Sequence, residues 1–245
     1  MKKVVNVGSN KQCTAFEVHN FHARELFSII APEYDFISRA FSLGRDPAWK
    51  RKLIRSLPHK VAPVCVDLAS GTGDITFALA ERYPDGSITG IDITPQMMHI
   101  ATCRNTHKNI AWHLGDMCHV PLKDSSVDIV TAGYALWNAP SREELFAELR
   151  RILKPGGVAI FLDICRPQNR IGQYIEYVLL KIWGIFWSLM LHGSLSVYTH
   201  VVDGLFSFPT LPEIADTLQK NGFVKVHTRR FALGMIALIM FEKHR

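Results

Sequence analysis

The chain passes from an apolar run, Val64-Cys65-Val66-Asp67-Leu68, through Ala69-Ser70-Gly71-Thr72-Gly73 into an amphipathic stretch opened by Asp74. This strand, loop and helix constrain the fold more than any other feature. Small loop residues let a ligand approach the backbone, and a helix start aims unpaired N–H groups at it. From residue 61 onward, short apolar runs alternate with amphipathic segments. That alternation is the pattern of repeated βα units on a parallel sheet. It predicts strands at 63–68, 87–92, 109–114, 127–133 and 157–163, with helices at 74–83, 95–104 and 141–153. Lys154-Pro155-Gly156-Gly157 reads as a stop and turn after the last helix. A helix at 210–221 and strands at 223–230 and 235–242 follow, the strands joined through Gly234 closely enough to pair antiparallel. Before residue 57, Phe27, Ile30, Tyr34, Ile37 and Phe41 keep helical spacing, broken near Pro32 and Gly44–Pro47.

The loop alone admits several readings. A P-loop would end in Gly-Lys-Ser/Thr, and the loop has no lysine. A dinucleotide fingerprint wants glycine or alanine where Thr76 stands, and brings pyrophosphate to a helix start where Asp74 places a carboxylate. A cationic or zwitterionic ligand tolerates that carboxylate better. An ordinary tight βα turn also fits.

Two further loop ends favour a ligand. Asp92 closes the second strand, 21 residues after Gly71, where a carboxylate can accept from ribose hydroxyls. Gly115-Asp116-Met117 follows the third strand and suits an adenine, its amine bonded and its face packed. Each aspartate alone reads equally as a loop residue or helix cap. Together they occupy the carboxyl edge of one sheet, where open α/β sheets bind ligands.

Composition narrows the function class. With 48% hydrophobic and 20% charged residues over 245 positions, the chain is neither disordered nor a charged tail. Five cysteines without paired spacing predict neither disulfides nor zinc, and a cytoplasmic setting. The start lacks the apolar run of a signal peptide. The net charge of +6 is spread without a Lys/Arg block. Trp137-Asn138-Ala139-Pro140 does not give the Asn/Asp-Pro-Pro-Tyr/Phe motif of enzymes that modify nucleic-acid bases, so no nucleic-acid partner is expected.

Asp67 to Asp74, Gly90 to Thr94, Gly115 to Met117, Asp128 to Asn138 and Leu149 to Gly157 together resemble the core of class I S-adenosylmethionine-dependent methyltransferases over roughly residues 60–165. Ala31 to Ser38, Trp49-Lys50-Arg51, Val120-Pro121-Leu122, Tyr134 to Asn138 and Phe206 to Pro209 are similar to the ubiquinone/menaquinone C-methyltransferases. The resemblance implies an α/β, doubly wound, seven-stranded, mostly parallel Rossmann-like sheet with an antiparallel last strand and an added helical cap. It divides the chain into a cap at 1–57, a cofactor-binding core at 58–168, an apolar helical insertion at 169–209 and a completing segment at 210–245. It implies S-adenosylmethionine held by Asp67, Ala69, Gly71, Thr72, Gly73, Asp92, Ile93, Met97, Asp116, Met117 and Gly133, and no metal. It places Tyr34, Tyr134 and Asn138 at the transfer site. The chain departs from the quinone enzymes at three places. Ala135-Leu136-Trp137-Asn138 replaces Gly-Leu/Ile-Arg-Asn, Leu162 to Pro167 replaces Leu-Glu-Phe-Ser-Lys-Pro, and Ala237-Leu238-Ile239 replaces Ala-Leu-His.

A sulfonium is already a strong methyl donor, so the protein must mainly orient the nucleophile and exclude water. A base is needed only where the nucleophile must lose a proton. Asp163, Tyr198 and His200 are further candidate orienters, with His19 and His22 as cap residues. Tyr174 to Leu191 is apolar except for Glu176 and Lys181 and short for a membrane span. It reads as a cap helix over a greasy pocket, an interfacial membrane contact, or a buried or dimeric helix. Trp183, Phe186, Trp187 and Met190 would share one face. The leading expectation is methyl transfer to a lipophilic small molecule, first a quinol-type ring carbon. The alternatives are O- or N-methylation of a secondary metabolite or lipid head group, and a non-catalytic subunit.

Overall fold

The computed structural model describes residues 15–166, 170–192 and 209–244. Three helices lead: α1 (Ala15–Ile30), α2 (Tyr34–Phe41) and α3 (Asp46–Ser56), with a 3-10 turn at Ala31–Glu33. Pro32 sits in that turn, and Asp46-Pro47 opens α3, because proline suits a first helical turn. Alternation follows: β1 (Val64–Leu68), α4 (Asp74–Arg82), β2 (Ser87–Asp92), α5 (Pro95–Arg104), β3 (Ile110–Leu114), β4 (Val127–Gly133), α6 (Arg142–Ile152) and β5 (Leu153–Ile164). Next come α7 (Arg170–His192), α8 (Leu211–Lys220), β6 (Phe223–Phe231) and β7 (Ile236–Lys243).

The seven strands order as β3-β2-β1-β4-β5-β7-β6. The first five run parallel, and β7 pairs antiparallel with both β5 and β6. The strand order reverses between β1 and β4, so the loops after them open a crevice at the carboxyl edge. This is the doubly wound sheet expected, with its antiparallel closing pair. One boundary differs. Leu153 already pairs with Val127, and pairing resumes at Val158 opposite Ile129. The Lys154–Gly157 turn is therefore a bulge inside β5 rather than a stop ahead of it. Gly156, at φ 74°, lets the chain loop out and rejoin the same ladder.

Two apolar layers sandwich the sheet. On one face Phe146, Phe161, Phe223 and Phe241 meet edge to face beneath α6 and α8. On the other, Trp49 and Leu53 of α3 pack with Leu79 of α4 and Leu238 of β7. A third cluster joins Ile30 and Ile37 of the cap to Leu26, Phe27, Tyr34, Phe41 and Trp187. Thus α7 docks on α2, with Trp183 Nε1 donating to the Ala40 carbonyl at 3.3 Å and Trp187 edge-on to Phe36 at 5.2 Å. The expected aromatic face of α7 divides: Trp183 and Trp187 turn toward the cap, whereas Phe186 and Met190 are exposed. Ile175, Leu179, Ile182 and Leu189 are exposed with them. Among the described residues, no helix is long and apolar enough to cross a membrane.

Candidate active site

A cleft of about 640 Å³, partly open to solvent, lies where the ends of β1, β2, β3 and β4 meet the cap. Its floor is the β1 loop, whose shape follows from its small residues. Ala69 and Gly71 take left-handed φ values of 49° and 55°, and Gly73 takes 95° as the N-cap of α4. A Cβ on Gly73 would stand 2.9 Å from Phe77 and Trp112, so only glycine turns the chain there. Gly133 ends β4 close to Ile75, whose Cδ1 would lie 2.7 Å from a Cβ there.

Asp92 organises the wall. Its Oδ2 accepts from Gly71 N at 2.8 Å and its Oδ1 from Thr94 N at 2.8 Å. Burial raises its pKa against the pull of these N–H groups. The Thr94 side chain and the Ile93 N–H also bear on this carboxylate. Asp116 Oδ1 accepts from Cys118 N at 2.9 Å, and its neighbour Met117 adds an apolar wall.

The structure brings Ala69, Gly71, Asp92, Ile93, Met97, Asp116, Met117 and Gly133 together around this cleft, and Tyr34, Tyr134 and Asn138 line it too, Tyr34 against Gly71. Three residues expected to hold the cofactor do not line it. Asp67 is buried, accepting from Thr76 Oγ1 at 2.6 Å and Thr131 Oγ1 at 2.7 Å, and burial pushes it up to about 6. It ties β1 to α4 and β4 beneath the loop. Thr72 points its hydroxyl to Asp35 Oδ1 at 2.6 Å. Gly73 serves the helix start.

Asp163, a candidate orienter, is also spent on structure. It accepts from Leu136 N at 2.6 Å and Ile164 N at 2.8 Å, and burial pushes it up to about 7. It fixes the turn after β4 that presents Tyr134 and Asn138. Trp137, in the same turn, packs against the core. His19 and His22 fall within α1, and Tyr198 and His200 lie outside the described residues.

Sequence reasoning missed Ala23, Phe27, Thr94 and Ala135 of the lining. It also missed a polar chain behind the cleft. Tyr134 OH donates to Asp46 Oδ1 at 2.8 Å, and Lys50 Nζ lies 2.8 Å from Asp46 Oδ2 and 3.2 Å from Asp74 Oδ2. Arg104 joins Asp74 Oδ1 to Asp35 Oδ2, each at 2.9 Å, and donates to Thr72 O at 3.1 Å. The carboxylate of Asp74 that disfavoured pyrophosphate is thus already paired. Burial alone would raise its pKa, but Lys50 and Arg104 outweigh that and hold it below the usual range. Burial likewise opposes the Lys50 charge, and Asp46, Tyr34 and Asp74 overcome it. The i, i+4 spacing of Asp46 and Lys50 on one helix was the available signal.

These donors and acceptors fit S-adenosylmethionine. Asp92 sets a carboxylate at the cleft wall where ribose hydroxyls would lie, Asp116 can accept an adenine amine beside Met117, and the glycine cradle leaves room at the backbone. An aromatic face at Tyr34 suits a sulfonium cation. A profile of the ubiE/COQ5 methyltransferase family matches residues 15–243. The chain belongs to that family.

Among its relatives, the demethylmenaquinone methyltransferase of Lactobacillus johnsonii is 32% identical over 219 residues, covering 87% of this chain and 89% of that one. The ubiquinone/menaquinone biosynthesis C-methyltransferase UbiE of Desulfotalea psychrophila is 31% identical, covering 87% of each. A SAM-dependent methyltransferase of Thermotoga maritima shares the fold at a TM-score of 0.65 and 20% identity, covering 89% of this chain and 99% of that one. Phosphoethanolamine N-methyltransferase 2 of Haemonchus contortus, solved with S-adenosyl-L-methionine, reaches 0.62 at 14% identity, covering 81% and 53%. This ubiE/COQ5-family chain is an S-adenosylmethionine-dependent methyltransferase with a Rossmann-like fold.

Proposed function

We propose that the enzyme methylates a ring carbon of a lipophilic quinol. The carrying observation is the cleft itself. Carboxylates suited to the cofactor share its lining with Tyr34, Tyr134 and Asn138, beneath an apolar cap. Relatives named for demethylmenaquinone and ubiquinone/menaquinone methylation support this choice of acceptor. When bound, the cofactor supplies an electrophilic methyl group whose bonding pair stays with sulfur. The residues around it bind, orient and exclude water, which is most of what such a transfer needs. Phe27 and Tyr34 cover the cleft from the cap, and Asp92 and Asp116 fix the cofactor's position.

The test is incubation of the purified chain with S-adenosylmethionine and a reduced prenylated naphthoquinol, followed by mass spectrometry. The expected product gains one methylene in mass, with the new methyl placed on the ring by fragmentation. A methyl placed on oxygen, or turnover confined to hydroxylated metabolites or lipid head groups, overturns the quinol reading. Cofactor binding without any turnover supports the non-catalytic one.

The same reading gives α7 an occupant. Its outer residues Ile175, Leu179, Ile182, Phe186 and Met190 run about 22 Å along the helix. They continue through Trp187 and Phe36 onto the cap, beside the cluster that holds Tyr34. A lipophilic acceptor partitions into bilayers, and an exposed helix face of apolar and aromatic residues suits the membrane interface. We infer that this face rests on the lipid surface of a membrane. Phe186→Glu with Met190→Glu should abolish co-sedimentation with phosphatidylglycerol vesicles. Unchanged co-sedimentation, or a dimer that the double variant dissociates, refutes it.

A further inference from the structure

Among the described residues, the lining of the cleft contains no Lys, Arg, His, Glu or Cys. Its titratable side chains are Asp92, Asp116, Tyr34 and Tyr134. Asp92 and Asp116 stand at the ends of β2 and β3, where they serve the cofactor. Tyr134 is distinguished by what lies behind it. Its hydroxyl donates to Asp46, a carboxylate only 2% exposed, whose other oxygen is bound to Lys50. Its ring packs against the layer that contains Trp49 and Leu53. Its backbone sits at φ 56°, uncommon for a residue with a side chain, and is pinned by Tyr134 N donating to Leu162 O at 2.7 Å. Such strain persists only where surroundings over-determine it and is frequent at active sites. A phenol held there with its hydrogen already committed leaves its oxygen lone pairs free to accept from a ligand hydroxyl.

We propose that Tyr134 and Asp46 form a proton relay, in which Tyr134 Oη takes the acceptor's hydroxyl proton as Tyr134 passes its own to Asp46 Oδ1. The proposal rests on the reading of the acceptor as a hydroxylated ring. The balance closes over one turnover. The loaned proton leaves the ring oxygen electron-rich, which raises nucleophilicity at the ring carbon. A methyl group takes the place of one ring hydrogen, which leaves to solvent as a proton when aromaticity returns. The proton on Asp46 then goes back through Tyr134 to the ring oxygen. Burial, together with Asp46, keeps the Tyr134 phenol protonated at neutral pH, so it acts by exchange and not as a standing phenolate. The charged or titratable groups facing the pair are Lys50 on α3, Tyr34 on α2, Asp163 at the end of β5, and Asp74 beyond Lys50. Tyr134 is the catalytic residue in this scheme, and Asp46 acts through it.

The test uses Tyr134→Phe, Asp46→Asn, Asp46→Glu and the double variant of Tyr134→Phe with Asp46→Asn, each in the full chain. Each single removal should lower kcat by about 100-fold or more, the range of general acid–base assistance. KM for the quinol and the calorimetric affinity for S-adenosylmethionine should stay within about threefold. The double variant should be no slower than either single, as expected for residues acting as one unit. Asp46→Glu should recover part of the rate. The readout independent of turnover is 1-naphthol, whose ionisation is followed by absorbance. Bound to the wild type it should ionise at lower pH than in solution, and both single removals should abolish that shift. Wild-type kcat in Tyr134→Phe, losses that multiply in the double variant, or a naphthol shift indifferent to Asp46 would each overturn the relay. If the naphthol shift depends on Asp46 but no quinol is methylated, the relay stands and the quinol reading falls.

Discussion

Replacing Asp92 by alanine separates binding from folding with a magnitude that the structure sets. In the wild type this side chain accepts Gly71 N and Thr94 N, both at 2.8 Å, and shapes the wall of the cleft. Asp92→Ala orphans both donors. An unmet buried donor costs about 1–3 kcal/mol. Because the cleft admits water at Gly71, the folding cost should total about 2 kcal/mol, near the low end. The binding cost is larger. Two hydrogen bonds from ribose hydroxyls to a carboxylate contribute about 1.5–3 kcal/mol each. Losing about 3 kcal/mol weakens the Kd by about 100-fold. Titration calorimetry with S-adenosylmethionine reads the second quantity, and urea denaturation without cofactor reads the first. Asp92→Asn, which keeps one acceptor oxygen, should fall between the wild type and Asp92→Ala in both. Affinity within threefold of wild type in a folded Asp92→Ala protein would refute the assignment of this carboxylate to the ribose. The raised pKa adds a pH signature. Cofactor affinity should decline on acidification earlier than for an ordinary carboxylate, because the charged acceptor is lost at higher pH.

Two further outcomes are expected. Burial would raise Asp128, but Lys154, the Val64 N–H and Lys60 more than offset it and hold it at about 2, so its stabilisation is present above the unfolded carboxylate range. Asp128→Asn should cost about 2 kcal/mol at neutral pH, and its urea midpoint should converge on the wild type as pH falls from about 4 toward 2; a pH-independent difference would contradict the ion-pair account. Asp35→Ala cuts the links from the cap to Thr72 and Arg104. The Arg104 pair is more than a third exposed and contributes under about 1 kcal/mol, whereas the Thr72 bond to a charged acceptor contributes about 1.5–3 kcal/mol. Limited proteolysis should then cut α1 or α2 faster while the melting temperature of the core changes little; unchanged proteolysis would show that the latch does not hold the cap.

The order of strands and helices was legible in the sequence because periodicity is local. The runs at 64–68, 87–92 and 127–133 alternate with amphipathic stretches whose helical faces are set by residues three and four apart. The glycine loop and the aspartates after β2 and β3 were legible because sheet topology sends those loop ends to one edge. The β5 bulge was not, because a Pro-Gly-Gly turn is locally the same whether the ladder resumes beside it or elsewhere.

What remained needed the third dimension. Asp67 sits one strand position from the loop, yet its side chain turns inward to Thr76 and Thr131. Thr72 turns to a cap residue 37 positions earlier. Tyr134 finds Asp46 across 88 positions. The sequence by itself determined the order of elements, the cradle at Ser70–Gly73 and the carboxylates at the sheet edge. Only the tertiary structure decided which polar groups face the cleft and which support it. Local spacing specifies the face of one helix or strand, whereas hydrogen-bond partners between elements are chosen by packing, where each buried polar group must find a mate or incur the full cost of its desolvation.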